Sequence, residues 1–337
     1  MTLQDTHISL AHGNGGRYMR ELIESLFARY LKNANLDIQA DAAVLPGLNN
    51  GDLLFTTDGF TVQPLEFPGG DIGSLAVHGT VNDLAVSGAT PKYLSLNAFI
   101  EEGFELARLE GIIKSIADTA NAVGVQVVAG DTKVVRRGEG GGIYLATTGI
   151  GLRDDRLNLG VGMIEPGDKL LVSGPVGDHG IAVMLAREQF GLRGDVKSDA
   201  GSVLPFTQAL LDLPGLRFMR DPTRGGVATV AHEICRSTGL QVRLDQAAIP
   251  VRDPVNSVCE MLGYDPLFLA CEGRVVAVVA ADQADAALGR WKNLPGGDMV
   301  SLIGETRQED PYVILETDLG GARILEELED DPLPRIC

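Results

Sequence analysis

Two α+β domains are the architecture this sequence predicts, and three observations predict it. The chain has 337 residues, enough for two separate cores. Its apolar content of 45% and charged content of 22% are those of an ordinary globular protein. Strand-like and helix-like segments mix along it without the regular alternation of a doubly wound parallel sheet.

The glycine-rich His12-Gly13-Asn14-Gly15-Gly16-Arg17 reads as a loop. Behind it Tyr18, Leu22, Leu26 and Tyr30 recur at helical spacing. The apolar run 53–57 reads as a buried strand that delivers Asp58 at its end. Residues 71–87 read as a helix stopped by Gly88. A strand over 93–100, a helix over 106–122, a strand over 126–128 entering Gly130-Asp131-Thr132-Lys133, and a strand over 143–150 complete the first half. Residues 153–167 read as the connection. The second half opens with a strand over 169–172, a turn over 174–180 and a helix over 181–190. Helices over 203–211 and 227–236 follow, with strands over 241–244, 274–279 and 299–303. From Pro311 the chain reads as a strand or hairpin, then an acidic stretch over 326–331 and a tail, Pro332-Leu333-Pro334-Arg335-Ile336-Cys337. The expected division is therefore 1–155, 156–310, and 311–337 as strand or hairpin with a mobile tail ending in Cys337.

The net charge of −18 argues against nucleic acid and anionic membranes as partners. It also favours a metal cation between this protein and any phosphate ligand. The first ten residues lack a basic start and an apolar run, so no signal peptide is expected. No apolar stretch is long enough to cross a bilayer. Cys235, Cys259, Cys271 and Cys337 form no CxxC pair, which fits a reducing cytosol and gives no zinc signature.

Neither a Walker A motif nor a GxGxxG between strand and helix is present. Acidic residues recur instead at element ends: Asp41, Asp58, Asp83 and Asp131. Converging carboxylates make a Mg²⁺ site that bridges to phosphates, whereas any one of them alone reads first as a cap or turn residue. Asp221-Pro222-Thr223-Arg224-Gly225-Gly226 opens the helix over 227–236. It suits either an anion at the helix N-terminus with Arg224 beside it, or a simple cap by Asp221 or Thr223. Lys133 stands with Arg136 and Arg137 as a basic island, or as a solvated loop charge. Glu272 follows the apolar 267–270; it reads as a buried carboxylate of raised pKa, or as a turn residue. A thiol on an extended Pro-x-Pro arm can travel between sites, as a core cysteine cannot.

Several segments carry a resemblance: Ala11-His12-Gly13-x-Gly15-Gly16, Pro64-Leu65-x-Phe67-Pro68-Gly69-Gly70, Gly79-Thr80-Val81-Asn82-Asp83-Leu84-Ala85-Val86-Ser87-Gly88, Gly130-Asp131-Thr132-Lys133-Val134-Val135, Gly177-Asp178-His179-Gly180, Thr223-Arg224-Gly225-Gly226-Val227 and the Pro-Arg-Ile-Cys ending. They cover essentially the whole chain, in order. The chain resembles the HypE family of hydrogenase maturation factors, the carbamoyl dehydratases, within the aminoimidazole ribonucleotide synthetase-like superfamily. One local departure is Cys271, where the family pattern has asparagine before Glu272.

The resemblance implies a two-domain α+β fold whose N-terminal domains, residues 1–155, pair in a homodimer and bind ATP and Mg²⁺. It implies nucleotide contacts from Asp41, Asp58, Asn82, Asp83, Asp131, Thr132, Arg224, Gly225 and Gly226, with Asp41, Asp58, Asp83 and Asp131 on the metal. It implies a cytoplasmic enzyme that makes cyanide ligands for [NiFe]-hydrogenase. A HypF-like carbamoyltransferase loads Cys337, ATP-dependent dehydration turns the thiocarbamate into a thiocyanate, and a HypC–HypD-like complex receives the cyano group. Phosphorylating the amide oxygen makes phosphate the leaving group. Lys133 is then the cation near the developing charge, with Arg224 behind it, and Glu272 the base for the amide protons. The last dozen or so residues span roughly 40 Å when extended. An alternative within the superfamily is an ATP-dependent synthetase or kinase acting on a free small molecule, which needs no cysteine arm. A passive carbamoyl carrier would need no ATP site.

Overall fold

The computed structural model describes residues 16–22, 24, 39–40, 43–45, 51–187, 194–317 and 319–329. Among the residues that sequence reasoning singled out, Asp41 and Cys337 lie outside the described residues, as do the loop 12–15 and the helical pattern 25–31.

The first half is built on a five-stranded sheet. Its strands are β1 (Ala43–Leu45), β2 (Asp52–Phe60), β5 (Thr90–Glu101), β6 (Gln126–Val135) and β7 (Ile143–Arg153), in the order β1-β2-β7-β5-β6. A small ribbon of β3 (Glu66–Phe67) and β4 (Gly70–Asp71) lies beside it. All pairings in the large sheet are antiparallel except β5 with β6. That parallel pair needs a crossover, and the helix Leu106–Val123 provides it. Sequence reasoning ends the strands before Asp58 and Gly130; both strands run on, so Asp58 and Asp131 sit within them.

The helix Ile72–Val86 packs across the inner face of this sheet and is buried on nearly every side. Both its ends are those the sequence predicts. Asp71 accepts the N–H groups of Gly73 and Ser74, and Ser74 answers as a capping box. Gly88 lies past its end at a φ of +81°. Gly79 lets the helix approach the sheet closely, because a Cβ there would stand 2.8 Å from the Phe60 ring.

The second half holds a seven-stranded sheet. Besides β8 (Lys169–Val172), β9 (Leu216–Arg220), β10 (Gln241–Asp245), β11 (Val276–Val279) and β12 (Ser301–Arg307), it includes β13 (Val313–Glu316) and β14 (Ala322–Ile324). The order is β14-β13-β10-β12-β8-β11-β9, with β10 and β13 parallel and the rest antiparallel. The helix Gly226–Thr238 buries Val227, Val230, Ala231 and Ile234 in one core of this half. A second core is shared between the halves: Ile72, Leu75, Phe67 and Ile116 of the first meet Ile181, Val203, Leu210 and Trp291 of the second. The helix expected over 181–190 starts earlier and is described as Asp178–Ala186; that over 203–211 is a short Leu204–Gln208 followed by turn. Two helices, Asp253–Leu262 and Ala284–Lys292, and strand β9 join the elements read from sequence.

Candidate active site

Side chains alternate along β2, so Leu54, Thr56, Asp58 and Phe60 share one face. That face looks onto the helix Ile72–Val86. The hydroxyl of Thr56 donates to Asp83 Oδ2 at 2.8 Å, which ties the helix carboxylate to the strand. Asp58 accepts the Gly59 N–H at 2.7 Å and meets Arg224 of the second domain at 3.4 Å. Burial pushes the Asp58 carboxyl above its usual range, and Arg224 opposes that.

Strand β9 ends at Arg220 and hands over to Asp221, Thr223 and Arg224, which close the other wall of a cleft of about 310 Å³. Thr56, Asp58 and Asp83 form the first wall. The helix Gly226–Thr238 starts at this cleft, and no side chain caps it. Asp221, which sequence reasoning offers as a cap, is buried instead; burial pushes its carboxyl up to about 6. The glycines serve different ends. Gly225 has a φ of +73° and Gly226 one of +60°. A Cβ on Gly226 would lie 2.4 Å from Leu267 O and 2.7 Å from Leu269 O, so this glycine seats the helix against the segment leading to Glu272.

Glu272 lines a narrow recess together with Asp58, Asp83, Asp221, Thr223 and Arg224, all five of which also line the cleft. It is 4% exposed. Burial first, then the negative charges of Asp221, Asp199 and Asp58, push its carboxyl up to about 8, against a smaller pull from Arg224. Its peptide is well held: its N–H donates to Asp199, and its carbonyl accepts the Asn82 amide at 3.2 Å. Cys271 stands behind it, fully buried. Its Sγ accepts the Gly177 N–H at 3.3 Å and lies 3.6 Å from Leu269 O, the two partners an asparagine amide would take.

The expected site residues thus divide. Asp58, Asp83, Arg224 and Glu272 come together. Asn82 lies 1% exposed beneath them with its amide bonded to protein backbone. Asp131 and Lys133 form an ion pair at 2.9 Å on strand β6, more than half exposed. Register separates them from the cleft. Asp58 pairs with Thr147, Thr147 with Leu96 and Leu96 with Gly130, three strand spacings or about 14 Å away. Asp131, one residue further, points to the opposite face. Thr132 lies between them on β6. Among the described residues no three His, Cys, Asp or Glu side chains cluster as a ready metal cage. Asp199 and Asp221 near Glu272 are the residues sequence reasoning missed or assigned otherwise; only tertiary packing brings them there.

The chain matches two families in series: "AIR synthase related protein, N-terminal domain" over residues 39–153 and "AIR synthase related protein, C-terminal domain" over 165–315. It is 43% identical to the carbamoyl dehydratase HypE of Azotobacter vinelandii, over 100% of this chain and 99% of that protein. A chain solved in a HypE–HypF complex superposes with a TM-score of 0.86 at 42% identity, over 91% of this chain and 99% of that one. A HypE solved in complex with ATP gives a TM-score of 0.81 at 40% identity, over 98% of this chain and 100% of that one. Full-length identity at this level, on the same two-domain fold, makes this chain a member of the HypE family of carbamoyl dehydratases.

Proposed function

We propose that the protein dehydrates a carbamoyl group carried on Cys337 to a thiocyanate, with ATP as the phosphoryl donor, in the making of cyanide ligands for [NiFe]-hydrogenase. The observation that carries this reading is Glu272: a buried carboxylate, pushed up to about 8, in a recess off a cleft walled by Asp58, Asp83 and Arg224. A carboxylate of that kind accepts protons from a weak N–H acid, and the cleft beside it suits a nucleotide. The amide oxygen of the thiocarbamate attacks the γ-phosphorus, and ADP leaves. The amide nitrogen gives up both its protons, the first to solvent as the oxygen is phosphorylated and the second to Glu272 as the C≡N bond forms and phosphate departs with the original oxygen. Arg224, on the wall facing Asp58, would supply the cation for charge developing on the transferring group, and the N-terminus of the helix Gly226–Thr238 would add N–H donors on the same wall.

The acidic wall fits Mg²⁺. Magnesium is usually held by one or two carboxylates with phosphate and water completing the shell, so Asp58 and Asp83 suffice without a protein cage. The ion would neutralise phosphate charge there. Asp41, expected on the metal, lies outside the described residues.

Asp131 and Lys133 belong to the same reading through a second copy. They stand on the outer face of the first sheet, which also exposes Phe55 at 41%, Tyr93 at 47% and Phe99 at 42%. An apolar outer face with β6 at the edge of the described sheet favours pairing of two N-terminal domains, as the family resemblance implies. The pairing would carry Asp131, Thr132 and Lys133 of one protomer toward the cleft of the other. On this reading residues 1–155 pair and bind the nucleotide, 156–310 supply Glu272 and Arg224, and 311–337 end in the carrier arm. A HypF-like carbamoyltransferase loads the arm and a HypC–HypD-like complex unloads it, in the cytoplasm; among the described residues no helix is long and apolar enough to cross a membrane.

The test is the mass of the C-terminal peptide after carbamoylation by the partner, with and without Mg-ATP. Loss of one water only with Mg-ATP supports the dehydratase. An intact carbamoyl group would make the protein a carrier. A Cys337 never modified by a competent partner would favour a small-molecule enzyme.

A further inference from the structure

The peptide that carries Glu272 is gripped from both sides. Its N–H and that of Gly273 donate to the two carboxylate oxygens of Asp199, each at 3.2 Å. Its carbonyl accepts the Asn82 amide N–H at 3.2 Å. The grips come from different places. Asn82 projects from the helix Ile72–Val86 of the first domain, and Asp199 from the segment 198–203 between the halves.

That segment is itself fastened to the first domain. Asn82 donates to Gly201 O at 2.9 Å and accepts the Val203 N–H at 3.0 Å. The Ser198 N–H donates to Pro68 O at 2.7 Å. Asp199 is fully buried at its side chain, yet compensated: two N–H groups point at it and Arg274 stands 3.4 Å away. Arg274 is held in turn by Pro175 O at 2.9 Å and by Asp178 at 3.5 Å. The fit is close enough that a Cβ on Gly273 would lie 1.9 Å from Asp199 O. Neither Asn82 nor Asp199 lines the cleft or its recess. Their polar groups are bonded to backbone: Asn82 to Gly201, Val203 and Glu272, and Asp199 to Glu272 and Gly273.

We propose that Asp199 and Asn82 are positioning residues for Glu272, fixing where its carboxylate stands by holding its peptide from both sides of the domain seam at once. The proposal rests on the reading of Glu272 as the base. It makes the base dependent on domain docking: loosening the seam at Asn82 or Asp199 shifts Glu272. A misplacement of about 1 Å in a reacting group slows chemistry by about a hundredfold.

The experiment is single-turnover dehydration of the carbamoylated tail with Mg-ATP, read as loss of one water, with ATP affinity and thermal melting measured alongside. The variants are Glu272→Gln, Asp199→Asn and the double. Asp199→Asn keeps the shape but turns a donor toward one of the two N–H groups. It is expected to slow turnover by about ten- to a hundredfold while ATP affinity is kept. The double is expected to be no slower than Glu272→Gln alone, because a misplaced base that is already absent has no further effect. Asn82→Asp, which keeps the size and loses the donor, repeats the cycle from the other domain and carries the test if Asp199→Asn does not fold. A purely structural role predicts losses that multiply in the double variant; that result, or full turnover in both single variants, overturns the proposal. Full turnover in Glu272→Gln overturns the base reading itself.

Discussion

Gly225 and Gly226 are adjacent and both have positive φ, yet the structure gives them different penalties for gaining a side chain. In Gly225→Ala the new Cβ meets Thr229 Oγ1 at 2.0 Å. That atom is the end of a side chain that can rotate away, and Thr229 Cβ at 3.1 Å needs a shift of only a few tenths of an ångström, so the main loss is the left-handed backbone, about 1–2 kcal/mol. A stiffer unfolded chain offsets about 0.4–1 kcal/mol of it. In Gly226→Ala the Cβ meets the carbonyl oxygens of Leu267 and Leu269 at 2.4 and 2.7 Å, and Phe268 C at 3.0 Å. Backbone cannot rotate away, so an overpacking term of about 1–3 kcal/mol adds to the same conformational one. Gly225→Ala should therefore lower stability by about 1 kcal/mol, and Gly226→Ala by about 2–4 kcal/mol. The assay is urea denaturation of the protein without nucleotide, followed by the fluorescence of Trp291. It is the single tryptophan, fully buried, and its Nε1–H donates to Phe206 O at 2.8 Å. Equal losses in the two variants would refute the packing argument and leave only backbone conformation. No loss in either would mean that these glycines matter to ligand approach alone.

Turnover should rise with pH through an acid limb near 8 in the free enzyme, since the base must be ionised and Glu272 is pushed up to about 8; a pH profile that is flat from 6 to 9 counts against it. The same group makes folding stability fall as pH rises from the ordinary 4.5 toward 8, because the folded state holds the proton more tightly, and Glu272→Gln should flatten that slope in denaturation curves. Cys271→Asn should leave stability unchanged or raise it by up to about 1 kcal/mol, since an amide accepts the Gly177 N–H and donates to Leu269 O more strongly than a thiol does; a lower melting temperature would show that the sulfur packs better than it bonds. If a second copy supplies Lys133, mixing inactive Lys133→Ala and Glu272→Gln dimers should restore about a quarter of wild-type turnover, half the dimers being mixed with one intact site each. No recovery would place Lys133 and Glu272 in separate functions or in one chain's site.

How much of this is legible in the sequence depends on how local each signal is. The helix Ile72–Val86 is readable at both ends because Asp71 and Gly88 act within their own turns. The helix Ala284–Lys292 is not, because its buried face is Ala284, Ala287 and Trp291, and two alanines carry little apolar contrast. Strand β9 has buried Leu216, Phe218 and Met219 interleaved with Arg217 and Arg220, a pattern without clean period-two alternation. At the site, the types of Asp58, Asp83, Arg224 and Glu272 suggest chemistry, and the fold brings these four together. The strand faces of Asp131 and Lys133 follow only from register across three pairings, which no spacing encodes. Asn82 adjoins Asp83 in sequence, but a one-residue step on a helix turns a side chain by about 100°. Asp83 therefore reaches the cleft while Asn82 points into the seam, and a motif that reads as one ligand-binding unit divides into a cleft-facing half and a half bonded to backbone across the seam. Gly225 and Gly226 differ too, since a Cβ on Gly225 meets the Thr229 side chain and one on Gly226 meets the backbone of 267–269. A site built on a domain seam uses neighbouring residues for both purposes, so adjacency within a motif is weak grounds for a shared role. Stability and turnover measured on the same variants distinguish the two: a residue facing the ligand alters turnover with little change in the fold, and a residue of the seam alters both.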